Sequence, residues 1–247
     1  KDINLKEYKK YAVSLLANEK LAYTMGKAVY SKVKEKYSWN ANVISLLNII
    51  YSILNTSTKL RIAVLETGHS SQIYLAGGDK VLEAMVRHLP PKFHFYVIVP
   101  QIGLKHWQES RLQIDCSILP RTIFDNKPAP FYVFIAYCIR VWQSFWKLRS
   151  IQIDMIYSST HVLPDVLPAF FLKLLRGDVF WALKIHHLVP NPLQRSGNFF
   201  VNIVSYLMQK LALICIRYNC DMIFVNNTQL LKQLASLGVS KEKMRIL

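Results

Sequence analysis

Four clusters of polar and ionisable residues each follow a short apolar run in this 247-residue chain. Glu66, Thr67, Gly68 and His69 follow LRIAVL; Ser158, Ser159, Thr160 and His161, with Asp165 just beyond, follow DMIY. His186 and His187 follow VFWALKI and precede LVPNP, and Asn226, Asn227 and Thr228 follow MIFV. Imidazole titrates near neutral pH and can donate, accept or relay a proton. Histidines gathered with hydroxyls and amides at the ends of apolar strands form the pattern of a site. Each member also has a quieter role. A single His at a strand end can be a hydrogen-bonded structural residue, Ser159 and Thr160 can cap the next helix, and Asn226 with Thr228 the last one.

Beyond the first cluster lies the pair Gly77-Gly78, followed by Val81, Leu82, Met85, Val86 and Leu89 at helical spacing, with Asp79 in the first turn. Two glycines let backbone N–H groups approach a ligand, and a helix N-terminus attracts phosphate or another anion. A tight turn with no ligand is the alternative.

The missing motifs narrow the chemistry. The chain has no HExxH or GxSxG, and neither GxGxxG nor GxxxxGK[ST] at the opening strand. Zinc protease, nucleophilic hydrolase and P-loop readings fall away. The loop from Glu66 to Gly77 is also longer than a tight dinucleotide turn. Cys116, Cys138, Cys215 and Cys220 show no CxxC pair or metal-ligand spacing, so no zinc site is implied, and buried thiols in a reduced, cytoplasmic setting are expected. Lys and Arg number 31 against 15 Asp and Glu, a net +16. This points to anionic partners, and without a dense basic block, a glycine-aromatic RNA signature or finger spacing it favours phosphate or an acidic membrane surface over nucleic acid.

The elements that must position these clusters alternate. Residues 1–55 read as three amphipathic helices, with Leu5, Tyr8, Ala12, Leu15 and Leu16 on the first face and Leu21, Met25, Ala28, Val29 and Val33 on the second. Val43, Leu46, Leu47, Ile50 and Leu54 mark the third, capped by Ser38. Helices of this length must pack on something. After the polar break Asn55–Lys59, strands are predicted at 60–65, 93–99, about 114–119, 154–158, 179–185, 222–225 and from 244. Helices are predicted from the proline loop to about 148, at 163–175, from the loop after Pro192 to near 217, and at 228–237. This is an α/β fold, a Rossmann-like parallel sheet with helices on both faces, and ligands of such sheets sit outside the carboxyl ends of the strands. The apolar segments 131–146 and 199–216 are interrupted by Arg140 and by Gln209 and Lys210, so neither reads as a membrane span. The charged start KDINLKEYKK is not a signal peptide.

From Lys59 onward the chain resembles the N-terminal, acceptor-side domain of glycosyltransferase family 4, retaining enzymes of GT-B fold. The resemblance is carried by LRIAVL with AGGDKVLEAMVRHL, DMIYSSTHVLPDVLPAF, KIHHLVP and CDMIFVNNTQLLKQLASLGVSKEKMRIL. MGKAVYSKVKEKYSWNANVISLLNIIYSIL, within residues 1–55, resembles the closing helices of another family 4 enzyme. The expected division is therefore a tail-like helical segment at 1–55 and an N-terminal domain at 58–247. A fragment spanning two tandem enzymes is the favoured origin, with a permuted gene as the alternative.

The resemblance implies transfer of a sugar from a nucleotide-sugar donor to a sugar or lipid-linked acceptor in the cytoplasm or at its membrane face, without a metal or other cofactor. The donor domain, with its paired glutamates, would have to be supplied in cis, and the isolated piece is expected to be inactive. His186 matches the family's catalytic histidine, and Gly77 and Gly78 would face the donor diphosphate and acceptor. Ser159, His161, Asp165 and Asn226 complete the binding set, Asp165 as a holder of acceptor hydroxyls. Two positions depart from the family: His187 where an acid is common, and Ser159 where a second His is often seen. A nucleotide-binding Rossmann module and a non-catalytic interaction domain remain the other readings. Most apolar residues of 131–149 and 199–217 are expected in the core, as helix faces against a sheet usually are, while Trp142, Trp146, Lys147 and Arg149 could form an interfacial patch suited to a lipid-linked acceptor.

Overall fold

The computed structural model describes residues 5–36, 60–68, 82–84, 86–87, 93–110, 112, 114–125, 127 and 129–246. The glycine pair Gly77-Gly78, His69, Asp79 and the third N-terminal helix with its Ser38 cap lie outside the described residues.

Seven parallel strands form one sheet: β1 (Leu60–Leu65), β2 (Phe93–Pro100), β3 (Asp115–Leu119), β4 (Met155–Ser158), β5 (Phe180–Ile185), β6 (Met222–Val225) and β7 (Met244–Ile246). Their order is β3-β2-β1-β4-β5-β6-β7. The chain first winds outward from β1 through β2 to β3, then returns to lay β4 on the other side of β1. The winding direction thus reverses between β1 and β4, and the crevice at such a reversal is where open α/β sheets bind ligands. Leu65 pairs with Ser158 there, which brings the polar residues after both strands together.

The α/β class and every strand expected from the apolar runs are present, with boundaries shifted by a residue or so. Those strands are nearly uniformly apolar because both faces are covered. One face packs Leu65, Trp181, Leu183, Ile185 and Val225 against helices α4 (Pro130–Arg149), α5 (Leu163–Leu175), α6 (Phe199–Asn219) and α7 (Thr228–Ser236). The other packs Ile62, Val64, Val97, Tyr157 and Phe224 with Leu82 and Trp107. Trp107 belongs to a short helix, α3 (Leu104–Glu109), preceded by a 3-10 turn Gln101–Gly103. The sequence reading passes over it because six residues are too few to show a period. α6 ends close to its expected limit, capped by Asn198, whose side chain accepts from Phe200 N and Val201 N.

Helices α1 (Leu5–Ala17) and α2 (Glu19–Lys36) form as predicted and contact each other, with Ala12 and Leu15 half-buried. Leu16 is 89% accessible, and Leu21, Met25, Val29 and Val33 of the second face are exposed as well. Cys138 is exposed, against the expectation of buried thiols, whereas Cys215 and Cys220 are buried. By length and composition α6 is also apolar enough to cross a membrane, despite Gln209 and Lys210. Here it packs along α5, with a third of its most apolar window buried.

Candidate functional site

The crevice between β1 and β4 is floored by the carboxylate of Asp165. Asp165, in the first turn of α5 and 1% exposed, accepts from Thr67 N at 2.7 Å and Thr67 Oγ1 at 2.8 Å through Oδ1, and from Thr160 Oγ1 at 2.6 Å through Oδ2. Its main-chain carbonyl accepts from Ser158 Oγ at 2.7 Å, and Ser158 Oγ in turn accepts from Trp181 Nε1 at 3.0 Å. Pro164 near the helix start explains why the turn forms here, since its missing N–H would have no partner in a first turn anyway. The caps differ from expectation. Val162 is the N-cap residue of α5 and uses no side chain, while Thr160 Oγ1 accepts from Val162 N. Asn227, between the two expected caps, closes α7 by accepting from Leu230 N at 2.8 Å.

A second layer braces this floor. Arg140 of α4 donates to the Thr67 carbonyl at 3.0 Å and pairs with Asp125 at 2.7 Å, both side chains almost wholly buried. Asp125 is held by Thr122 N at 3.0 Å and Thr122 Oγ1 at 2.8 Å. Burial raises the Asp125 pKa, but the Thr122 bonds and Arg140 outweigh it and hold the carboxyl below its ordinary value. Tyr137 donates to the Gly68 carbonyl at 2.8 Å, and burial pushes its phenol up to about 12. The one charge that interrupts the apolar stretch 131–146 is thus an internal brace. The sequence reading places Thr67 among the polar strand ends and Arg140 as an interruption of an apolar helix, without a bracing role for either, and passes over Asp125 and Tyr137, for which the T-x-x-D turn is the one signal.

Three histidines stand on the rim above β4 and β5. The His161 and His187 rings meet edge to face, centroids 6.3 Å apart. His161 Nε2 lies 3.2 Å from Gln209 Oε1, and the Gln209 amide also clamps the Val189 main chain, accepting from N at 2.6 Å and donating to O at 3.1 Å. Burial lowers the His161 pKa to about 4 against the opposing Gln209 bond, with His187 adding to the fall. His186 is also lowered to about 4, first by burial and then by the Lys184 charge, against a bond to the Ser159 main chain. Its Nε2 is buried without a hydrogen-bond partner among the described residues. Asn226 Nδ2 donates to the His186 carbonyl at 3.1 Å. Lys184, two residues earlier on β5, is buried, and desolvation lowers its ammonium pKa to about 8.

The structure therefore brings Ser159, His161, Asp165, His186 and Asn226 to one rim. Asp165 already accepts three hydrogen bonds and Asn226 steadies the His186 backbone, while His186 Nε2 is the imidazole atom left to be used. Among the described residues, no group of three or more His, Cys, Asp or Glu is placed to hold a metal ion.

No protein-family model matches the chain, and no curated protein matches it in sequence. Solved structures do align over 76% of it. They include Anabaena Alr3699/HepE in complex with UDP-glucose (TM-score 0.49, 12% identity), the lipopolysaccharide outer core galactosyltransferase WaaB (0.49, 13%) and a putative UDP-N-acetylglucosamine 2-epimerase from Listeria monocytogenes (0.49, 11%). The alignments cover 43%, 45% and 44% of those chains, so the chain spans less than half the length of each.

Proposed function

We propose that this chain is the acceptor-side half of a sugar transferase that uses a nucleotide-sugar donor, of the retaining type its family 4 resemblance implies. One observation carries the reading: a histidine, His186, stands at the carboxyl end of a parallel strand beside the β1/β4 reversal, with a buried Nε2 that no group among the described residues satisfies. Buried polar atoms are nearly always paired, with protein, water or ligand, so this atom is open to the hydroxyl of a bound sugar. With its pKa near 4 the ring is neutral at pH 7, and a neutral imidazole can take or give one hydrogen bond to a sugar hydroxyl without competing with the departing diphosphate for charge.

Retaining transfer through an oxocarbenium-like sugar depends on preorganised electrostatics more than on a strong base. In this reading His186 orients the reacting sugar or acceptor, and the braced floor of Asp165, Thr67 and Arg140 keeps the rim from shifting. The amides around Gly77 and Gly78 would face the diphosphate, and a second domain in cis would hold the nucleotide. The basic, aromatic outer faces of α4 and α6 suit a lipid-linked acceptor at an anionic membrane surface on the cytoplasmic side.

The test is transfer by the intact enzyme from labelled nucleotide sugars to extracted lipid. His186→Ala should lower turnover at least a hundredfold, the scale on which a positioned hydrogen-bonding group acts, while its thermal unfolding stays close to wild type. Undiminished turnover in a folded variant would remove the role.

A further inference from the structure

Helices α4 and α6 leave a groove between them at the start of α5. An inner cavity of about 350 Å³ and an outer one of about 570 Å³ make it up, and they share Phe134, Leu163, Val201, Val204 and Met208 as walls. Both fall in the range of sites for small ligands. The two ends differ. Tyr137, His161, Gln209 and Arg195 line the inner end, under the rim. Phe131, Phe200, Leu207 and Leu211 line the outer end, and Phe200 is 77% exposed to solvent.

The charges of the groove are one-sided. α4 and α6 contain no Asp or Glu, and the one carboxylate of α5, Asp165, is buried in the floor. Arg195 makes no ion pair among the described residues, yet its backbone is pinned, since its carbonyl accepts from Asn202 Nδ2 at 3.0 Å. Arg195 is exposed to solvent at the inner end of the groove, so it offers a counter-charge to an anion there, which a purely apolar occupant such as the greasy face of a second protein would leave unused. The occupant that fits both features brings an apolar body and an anion.

The geometry points to one aliphatic chain of a phosphate-bearing membrane lipid, its phosphate at Arg195 and its tail running between α4 and α6 to the exposed aromatic mouth. The inner end lies at His161, whose ring meets that of His187, so the lipid's head sits beside the histidine rim while its tail leaves toward the bilayer. Identifying this lipid with the carrier of the acceptor sugar rests on the transferase reading; the groove's occupancy does not.

Binding of alkyl phosphates to the 247-residue chain, measured by calorimetry below their micelle-forming concentrations and without nucleotide sugar, tests the groove alone. Affinity is expected to rise roughly three- to fourfold per added methylene from octyl to dodecyl phosphate. It should fall at least tenfold in Val204→Trp, which fills a wall common to both cavities, and in Arg195→Glu, whereas dodecanol should bind weakly and be indifferent to Arg195→Glu. Ser205→Trp plugs the inner cavity if Val204→Trp does not fold, with circular dichroism identifying the folded variants. Folded plugged variants that bind like wild type, an affinity independent of chain length, or inorganic phosphate binding as tightly as dodecyl phosphate would each overturn the proposal. A chain that binds dodecyl phosphate as described but transfers no sugar in the intact enzyme refutes the transferase reading only.

Discussion

Burial keeps His161 neutral, and that has a thermodynamic sign. Its pKa falls from 6.5 to about 4 on folding, so between those values the unfolded chain binds the proton more readily than the folded one. The neutral ring's contribution to stability is therefore complete above pH 6.5 and is lost as the pH falls toward 4. By pH 5 the loss from this one residue amounts to about 2 kcal/mol. His186 is lowered in the same direction and adds to it. Urea unfolding at pH 7 and pH 5 should show the wild-type chain weakening by more than the His161→Gln variant, which keeps a polar group facing Gln209 but cannot titrate. Equal losses in the two proteins would mean that His161 is not desolvated as described. Burial acts alike on these two rim histidines, but their bonding separates them, because His161 is tied to Gln209 whereas His186 keeps an unsatisfied Nε2.

At the scale of elements, α4 is fastened to the sheet end by Arg140, which joins the Thr67 carbonyl after β1 to Asp125 in the loop before the helix. Removing one partner of a buried pair leaves the other charged and dry, at a typical cost of about 3–5 kcal/mol. Arg140→Met should therefore destabilise the chain by roughly that amount, and adding Asp125→Asn should recover part of it, since the abandoned charge is then gone. A double variant weaker than the single by the full cost of a second lesion would show that the two residues do not act as a pair. This brace also marks the limit of what the sequence discloses. The strands were legible because Leu60–Leu65 and Met222–Val225 are short apolar runs bounded by turn residues, and their polar ends marked the rim. Arg140 was visible only as an interruption of an apolar helix, because its partners, Thr67 and Asp125, lie 73 and 15 positions away. Asp165 was recognisable as a candidate for holding hydroxyl groups; that those groups are Thr67 and Thr160 of the chain itself depends on the strand order, which periodicity does not encode.

At the scale of the whole molecule, the exposed faces of α4 and α6 combine aromatic rings with cations. The outer surface of α4 and α6 exposes Phe131, Trp142, Trp146, Phe200, Leu207, Ile214 and Tyr218 and carries no carboxylate, against a chain-wide net charge of +16. Cations sit over the aromatic rings, Arg149 at 5.3 Å from the Trp146 centroid and Lys210 at 5.2 Å from that of Tyr206. Apolar rings that enter the interface and cations that meet lipid phosphates are what a bilayer surface selects, each basic residue near an anionic leaflet contributing about 1 kcal/mol. The chain should therefore float with vesicles containing anionic phospholipid and not with purely zwitterionic ones, and salt should release it, because screening shortens the reach of those charges to a few ångströms at high ionic strength. Replacing Lys147 and Arg149 together by Glu removes two cations and adds two anions at an exposed site, so it should reduce flotation at low salt by at least tenfold without altering the melting temperature by more than a few degrees. Trp142→Ala with Trp146→Ala should weaken binding at all salt concentrations alike, since burial of a ring is not screened. Binding indifferent to both lipid charge and salt would locate the attraction elsewhere and leave this face without a membrane role.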